Sequence, residues 1–200
     1  PQCVGLYRPV LVPFGGPLPE TPGRRKAAQE SCMLKRLAGP GLRVALGMAV
    51  LAAVVDQASK WAILAYVMDP PRVIAVTPFF NLTLGFNRGV TFGILGDIGS
   101  AGPWLLTGLA LIIVAFLLAW AARSSSWTEA AALGAIIGGA LGNVIDRIRQ
   151  GAVTDFLDFH ALGWHWPAFN LADTTIFCGV ATLLLHSWLG KPVEPSPSRP

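Results

Sequence analysis

The chain has 200 residues, of which 53% are hydrophobic and 13% are charged, and its mean hydropathy is +0.55. Because about 25% of the residues of an ordinary soluble domain are charged, this composition excludes that class and indicates a membrane protein. The net charge of +4 does not indicate a nucleic-acid partner, because six of the fifteen basic residues cluster before the first long apolar segment, at Arg24, Arg25, Lys26, Lys35, Arg36 and Arg43. Such a cluster is typical of the cytoplasmic flank of a transmembrane helix.

The two ends of the chain have the composition of unstructured segments. Residues 1–32 are rich in Pro and Gly, do not begin with Met and show no hydrophobic periodicity. We expect them to be a disordered leader or an upstream segment foreign to the native protein, with Met33 as the native start. Residues 33–190 then form the membrane domain, and the Pro-rich residues 191–200 form a disordered cytoplasmic tail.

Four long apolar segments predict four transmembrane helices. A helix that crosses the hydrocarbon core needs about 17–25 mostly apolar residues. The predicted helices cover residues 44–66, 103–122, 130–148 and 169–189. The third carries Gly134, Gly138 and Gly142 at intervals of four residues, a spacing that lets helices approach closely in lipid.

Four spans place both termini on the same side of the membrane. The basic flank assigns that side to the cytoplasm, and Arg123 and Lys191 lie on the same side. Residues 67–102 and 149–168 then lie on the outer, periplasmic side. Because Leu82, Leu84 and Phe86 alternate with polar or small residues, residues 81–87 predict a strand, followed by a turn and a second short strand at 90–95.

The predicted fold is therefore an all-α integral membrane protein of four transmembrane helices, with a small β-sheet and loops at the outer membrane surface. An open sheet inside lipid would leave its edge hydrogen bonds unsatisfied. Trp164 and Trp166 are typical of anchors at a membrane interface. We interpret Asp158, His160 and His165 as ordinary outer-loop residues, because their spacing matches no known set of metal ligands.

Polar side chains cluster at the outer ends of three predicted helices, where ionisable groups are costly and mark functional sites. They are Asp56 and Lys60 in the first helix, Asn143, Asp146 and Arg147 in the third, and Asn170 and Asp173 in the fourth, with Asp155 in the outer segment between the last two. One polar site at the outer interface accounts for all of them. The spacing of Asp56 and Lys60 favours an intrahelical ion pair. Asp146 and Arg147 fit either a purely structural pair or a role in positioning a substrate backbone.

Asp173 is the residue that most requires an explanation. It lies about one turn inside an apolar helix, with no basic residue within four positions. A second carboxylate that shares its proton would form the pair found in aspartic proteases, in which one member activates a water and the other polarises the scissile carbonyl. Asp56, Asp146 and Asp155 are the possible partners, and the residues alone do not choose among them.

Five sequence blocks lie in the order and on the predicted elements that are typical of the lipoprotein signal peptidase family, also called signal peptidase II. They are DQASKW at 56–61, NRGVTFG at 87–93, GGALGNVIDR at 138–147, GAVTDF at 151–156 and PAFNLAD at 167–173. The chain resembles this family over residues 43–189. Val90 and Thr91 stand where two alanines are more usual, a change to the wall of the site. Residues 1–32 have no counterpart in the family.

The resemblance implies an aspartyl endopeptidase of the bacterial inner membrane, with Asp155 and Asp173 as its catalytic pair. It also implies the reaction, which is hydrolysis of a signal peptide just before a cysteine that carries a diacylglyceryl group. The expected partners are diacylglyceryl-modified prolipoproteins and membrane lipids. We expect a monomer that needs no cofactor, metal or nucleic acid.

The resemblance carries over a set of residues that support the pair. They are Asn87, Asn143, Asp146, Arg147, Asn170, Asp56 and Lys60. Asp146 is expected to orient Arg147, and Asp56 is expected to hold the helix ends together. Two other classes of protein also place carboxylates in a membrane: a proton-coupled transporter and a non-catalytic assembly factor. The absence of internal repeats argues against the transporter.

Overall fold

The computed structural model describes residues 39–89 and 101–189, and within them it contains four long helices. Helix α1 is Pro40–Ala62 and continues as a π-helical turn, Ile63–Val67; α2 is Gly102–Ala121, α3 is Trp127–Gln150 and α4 is Leu171–Leu189. Each is long and apolar enough to cross a membrane, which confirms the four predicted spans. The predicted leader at 1–32, the tail at 191–200 and the strand at 90–95 lie outside the described residues.

Helix α3 begins three residues earlier and ends two residues later than predicted. Its start is fixed by Ser126, whose hydroxyl accepts a hydrogen bond from the backbone N–H of Glu129 at 3.3 Å. This Ser-x-x-Glu arrangement is the signature of a helix N-terminus. Its end is fixed by Gly151, which adopts the left-handed conformation with φ of 72°, a conformation that favours glycine after the last helical residue.

The small residues of α3 allow close packing, as their spacing predicts. A Cβ atom at Gly134 or Gly138 would collide with the backbone carbonyl oxygen of Ala45 or Ala49 on α1. On the opposite side, a Cβ atom at Gly139 would collide with α4. Helix α3 therefore lies between α1 and α4 with its backbone close to both. This contact brings the polar ends of the three helices together.

Four antiparallel strands form one sheet in the order β1-β2-β3-β4. Strand β1 is Ile74–Thr77, β2 is Phe80–Asn87, β3 is Val153–Ala161 and β4 is Trp164–His165. The prediction of a strand at 81–87 is confirmed by β2. The strand β3 was not predicted, because its sequence mixes apolar and acidic residues without strict alternation.

The pairing of β2 with β3 joins the two segments that connect the helices at this end of the bundle. Gly85 lies opposite Asp155, and Asn87 lies opposite Val153. Phe156 of β3 packs against Ile63 of the π-helical turn and Met68, which seats the sheet on the end of α1. The sheet therefore holds Asn87 and Asp155 beside the ends of α3 and α4.

Candidate active site

Asp173 is part of the N-terminal cap of α4. Asn170 precedes the helix, and its side-chain oxygen accepts a hydrogen bond from the backbone N–H of Asp173 at 3.0 Å. In return, the Asp173 carboxylate accepts one from the backbone N–H of Asn170 at 3.3 Å. This reciprocal arrangement is a capping box, and it fixes the Asp173 carboxylate at the positive end of the helix dipole. The prediction that α4 begins at residue 169 is wrong by two residues, because Phe169 pairs with Leu157 of β3.

Asp155 lies on β3 and is almost fully buried, with 4% of its surface exposed. Its Oδ1 atom accepts a hydrogen bond of 2.7 Å from the Asn170 side-chain amide. The polar side chain of Asn87 acts in the same direction, because it also lowers the pKa of Asp155. Asn170 therefore has two functions. Its oxygen caps the helix that carries Asp173, and its nitrogen binds Asp155. One side chain thus couples the positions of the two carboxylates.

Burial and the negative charge of Asp173 raise the pKa of Asp155 from its ordinary value of 3.8 to about 6. The hydrogen bonds from Asn170 and Asn87 act in the opposite direction but do not cancel these two effects. A carboxyl group with such a pKa exchanges its proton near physiological pH. Asp155 is therefore suited to general acid–base chemistry.

Both carboxylates face one cavity of about 520 Å³. Its polar wall also contains Asn87 and Arg147, and its apolar wall is formed by Leu106, Trp164, Trp166, Pro167, Ala168 and Phe169. Within residues 39–89 and 101–189, the buried Nε atom of Arg147 has no hydrogen-bond partner. A buried donor without a partner is unusual, because burying it costs about 1–3 kcal/mol. Among the described residues, Arg147 therefore carries a hydrogen-bond donor without a partner in the wall that also holds the two carboxylates.

Asn143 on α3 connects this pair to a second polar cluster. Its side-chain amide donates to Oδ1 of Asp173 at 2.9 Å. Its oxygen accepts from the ammonium group of Lys60 at 3.1 Å and from the Asn170 amide at 3.2 Å. Asn143 and Asn170 thus form a bridge of amides between the two carboxylates.

The second cluster is centred on Lys60, which is 3% exposed. Its ammonium group lies 2.8 Å from Oδ2 of Asp56 and 2.9 Å from Oδ2 of Asp146. The predicted intrahelical pair of Asp56 and Lys60 is therefore present, and it is extended to α3. Asp56 also accepts a hydrogen bond from the backbone N–H of Ala172 at 2.9 Å, which ties α1 to the start of α4.

Asp146 differs from its expected role of orienting Arg147. Its two carboxylate oxygens bind the ammonium group of Lys60, the side-chain amide of Gln57 at 2.8 Å and the backbone N–H of Thr154 at 3.1 Å. The physical reason is geometric, because consecutive helix residues point about 100° apart. Asp146 points toward α1 and the start of β3, whereas Arg147 lines the cavity.

The structure brings all nine predicted site residues into one connected region. Four line the cavity, two are the bridging amides and three form the lysine cluster. Of the three possible partners of Asp173, only Asp155 shares its cavity, since Asp56 and Asp146 are bound to Lys60. Sequence reasoning missed Gln57, which also contacts the backbone oxygen of Gly142 at 3.1 Å. Its position next to Asp56, on the side of α1 that meets α3, was the available signal.

Asp158 has a different environment from Asp155, although both lie on β3. Its carboxylate accepts from the Asn81 amide at 3.1 Å and lies 2.9 Å from Nδ1 of His165. Burial acts to raise the pKa of Asp158, but the hydrogen bonds from His165 and Asn81 outweigh it and lower the pKa below its ordinary value. Asp158 therefore stabilises the outer part of the sheet as a carboxylate.

The chain is similar to known proteins both in sequence and in fold. The family model described as signal peptidase II matches residues 48–189. A lipoprotein signal peptidase from a Methylobacterium strain is 44% identical over 145 residues, covering 71% of this chain and 88% of that relative. One from Burkholderia mallei is 43% identical over 164 residues, covering 79% of this chain and 95% of that relative. The solved structure of a bacterial membrane enzyme is similar with a TM-score of 0.63 and 30% identity, covering 76% of this chain and 93% of that one. This chain therefore belongs to the signal peptidase II family of membrane peptidases.

Proposed function

We propose that the protein is an aspartyl endopeptidase of the bacterial inner membrane that removes signal peptides from diacylglyceryl-modified prolipoproteins. It cleaves just before the lipidated cysteine. One observation carries the aspartyl mechanism: two carboxylates, Asp155 and Asp173, face one cavity, and the charge of one raises the pKa of the other. Membership of the signal peptidase II family supports the substrate class.

Asp155 is the member of the pair that is suited to take up and donate a proton near neutral pH. The negative charge of Asp173 and burial both favour its neutral form. The Asp173 carboxylate is held in place beside Asp155, because its oxygens accept hydrogen bonds from the Asn143 side chain and the Asn170 backbone. The N-terminus of α4 adds a favourable interaction with negative charge. Two neighbouring carboxylates that share one proton are the arrangement of the aspartic proteases.

The reaction then proceeds by general acid–base catalysis. The Asp173 carboxylate accepts a proton from a water molecule as the water oxygen attacks the carbonyl carbon of the scissile peptide. Asp155 donates its proton to the carbonyl oxygen, which gives a neutral tetrahedral intermediate. Asp173 next donates its proton to the leaving nitrogen while Asp155 recovers one from the intermediate. The carbon–nitrogen bond breaks, and the pair again holds one proton.

Arg147 and Asn87 are suited to hold the peptide in the cavity. The Nε atom of Arg147 is buried and lacks a partner within the part of the chain that the structure describes. A backbone carbonyl of the substrate would satisfy this donor, and the binding would fix the peptide beside the carboxylates. The aromatic wall formed by Trp164, Trp166 and Phe169 limits the access of bulk water.

The active site faces the periplasm and both termini face the cytoplasm. The end of α1, the end of α3 and the start of α4 carry the polar site and lie beside the sheet. Arg123 lies at the opposite end of the bundle, between α2 and α3. Basic residues favour the cytoplasmic side, so the site lies on the outer side. A lipid-modified substrate stays in the bilayer and reaches a site at this depth by lateral diffusion.

The test is cleavage of a diacylglyceryl-modified prolipoprotein by the purified protein in detergent, followed by the mobility shift on a gel. We expect cleavage by the unmodified protein, with or without a chelator. Asp155→Asn and Asp173→Asn should each lower the rate at least about 100-fold, since each removes one acid–base group.

Asp158→Asn is the matched control, because it neutralises another carboxylate of β3 that is bound to His165 and Asn81. It should keep cleavage activity. Absence of cleavage by the unmodified protein, or near-normal cleavage by either pair variant, contradicts the proposed function. In that case proton-coupled transport in vesicles is the next activity to measure.

A further inference from the structure

The orientation of the Asn143 side-chain amide determines whether its NH₂ group or its oxygen faces the Asp173 carboxylate. An asparagine side chain carries an acceptor oxygen and a donor NH₂ group, which exchange places when the amide rotates by 180°. In the structure the NH₂ group donates to Asp173 at 2.9 Å. With the opposite orientation, an amide oxygen would face the Asp173 carboxylate, and the hydrogen bond would be replaced by repulsion.

Lys60 is the residue that determines this orientation. Its ammonium group has three hydrogens and no acceptor, and it has three oxygen partners: Asp56 at 2.8 Å, Asp146 at 2.9 Å and the Asn143 amide oxygen at 3.1 Å. Two carboxylates on two helices fix the position of the ammonium group. Only the oxygen of Asn143 can face it. The Asn170 amide, which donates to the same oxygen at 3.2 Å, favours the same orientation.

We propose that Lys60 is a positioning residue for the carboxylate pair: it fixes the Asn143 amide so that the NH₂ group of this amide faces and holds the Asp173 carboxylate. This inference rests on the proposed function, which supplies the reason for an ionised Asp173. Lys60 acts through Asn143. Within the part of the chain that the structure describes, its ammonium group forms no hydrogen bond to Asp173 itself. The buried ion pair of Asp56 and Lys60 thus has a role in catalysis as well as in joining the helices.

A purely structural role would not require the contact between Lys60 and Asn143. An ion pair that only joined α1 to α3 would be complete with Asp56 and Asp146, whose two carboxylates already compensate the lysine charge. Buried ion pairs contribute little to stability compared with apolar packing. The third hydrogen bond of Lys60 is to the neutral amide of Asn143, which itself binds Asp173. This bond fixes the orientation of the amide, which packing does not fix.

The test is a double-mutant cycle with Lys60→Met and Asn143→Ala on the cleavage rate. Each single variant should lower kcat by about 10–100-fold with little change in KM, because the ionised base is lost and the peptide contacts remain. If Lys60 acts through Asn143, the double variant should be no slower than the slower single variant. Independent effects, which multiply in the double variant, would overturn the proposal.

Lys60→Met removes the shared cation of two buried carboxylates, which destabilises the fold. The cycle is therefore also run in an Asp146→Asn background. There the removal of one positive and one negative charge keeps the net charge of the cluster unchanged. Rates are compared with Asp146→Asn alone, in which Lys60 still faces Asn143. Lys60→Arg should restore part of the rate in either background, since it keeps a cation with N–H donors.

A second readout of the same cycle needs no substrate, so that it separates this inference from the proposed function. Protonated carboxyl groups are followed by infrared spectroscopy against pH, with Asp155→Asn to assign the band. Lys60→Met should raise the pKa of Asp155 above about 6, because the positive charge of Lys60 acts to lower it. The rise should be smaller when Asn143 is already Ala. An equal rise in both backgrounds would show that Lys60 acts by charge alone and would overturn its positioning role.

The charged groups around the pair come from three elements, and all of them except the substituted residues are kept unchanged in the cycle. They are Asp56 and Lys60 on α1, Asp146 and Arg147 on α3, and His165 on β4. Absence of cleavage by the unmodified protein contradicts the proposed function. The infrared measurements of the Asp155 pKa then still test the positioning role of Lys60. Normal cleavage with multiplicative effects contradicts only the role of Lys60.

Discussion

Replacement of Asp155 by Asn is expected to stabilise the folded protein at neutral pH while it abolishes cleavage. The pKa of Asp155 in the folded protein is about 6, above its ordinary value of 3.8. Ionising this buried group beside Asp173 is therefore unfavourable in the folded state. Asp155→Asn keeps an oxygen that accepts the Asn170 hydrogen bond and removes the charge. A site that holds an unfavourable charge for its chemistry is a common cause of lost stability.

The magnitude follows from the difference between the two pKa values. A difference of about two units corresponds to about 3 kcal/mol at 1.36 kcal/mol per unit, an upper value because the replacement also alters hydrogen bonds. Above pH about 6 the folded protein carries the full unfavourable charge. As the pH falls from about 6 to about 4, the folded state binds the proton before the unfolded state does, so the stability of the unmodified protein rises. Below about 4 both states are protonated and the difference between protein and variant disappears.

The assay is thermal unfolding in detergent at pH 8 and at pH 4. At pH 8 the midpoint of Asp155→Asn should lie on the order of 6–12 °C above that of the unmodified protein. At pH 4 the two midpoints should coincide. Asp158→Asn is the matched control with the opposite sign, because the pKa of Asp158 is lowered and its ionised form stabilises the fold. A lower midpoint for Asp155→Asn at pH 8, or a difference that persists at pH 4, would refute the reasoning.

Three further substitutions test how the fold positions the site, each by thermal unfolding in detergent. Gly138→Ala should destabilise the protein by about 1–3 kcal/mol because its Cβ collides with the Ala49 carbonyl, whereas Gly108→Ala, with open space around it, should not. A neutral Gly138→Ala contradicts the packing of α1 on α3. Ser126→Ala should cost about 1 kcal/mol by removing the cap of α3, and an unchanged midpoint contradicts that role. Gly151→Ala should cost roughly 1–2 kcal/mol, since φ is 72° there; no loss would show that the turn relaxes.

The amino-acid sequence alone identified the chain as a four-helix membrane protein and identified the residues that form its polar site. Apolar segments of sufficient length predict four transmembrane spans. The polar residues at the ends of three of them predict one shared site, because ionisable groups in a membrane are costly unless they are paired. Hydrophobic periodicity also predicted β2. Helix ends were less well predicted, because α3 and α4 begin where the side chains of Ser126 and Asn170 satisfy free backbone N–H groups.

Only the tertiary structure decided which of these residues act on one another. The sequence left Asp56, Asp146 and Asp155 equally possible as partners of Asp173 without the family resemblance. The fold separates them, because a buried lysine binds the first two and the pairing of β2 with β3 places the third on the cavity. Hydrogen bonds between residues as far apart in the chain as 60 and 143 depend on the approach of α1 to α3. Spacing along one helix cannot specify such contacts, since they arise from the packing of several helices and a sheet.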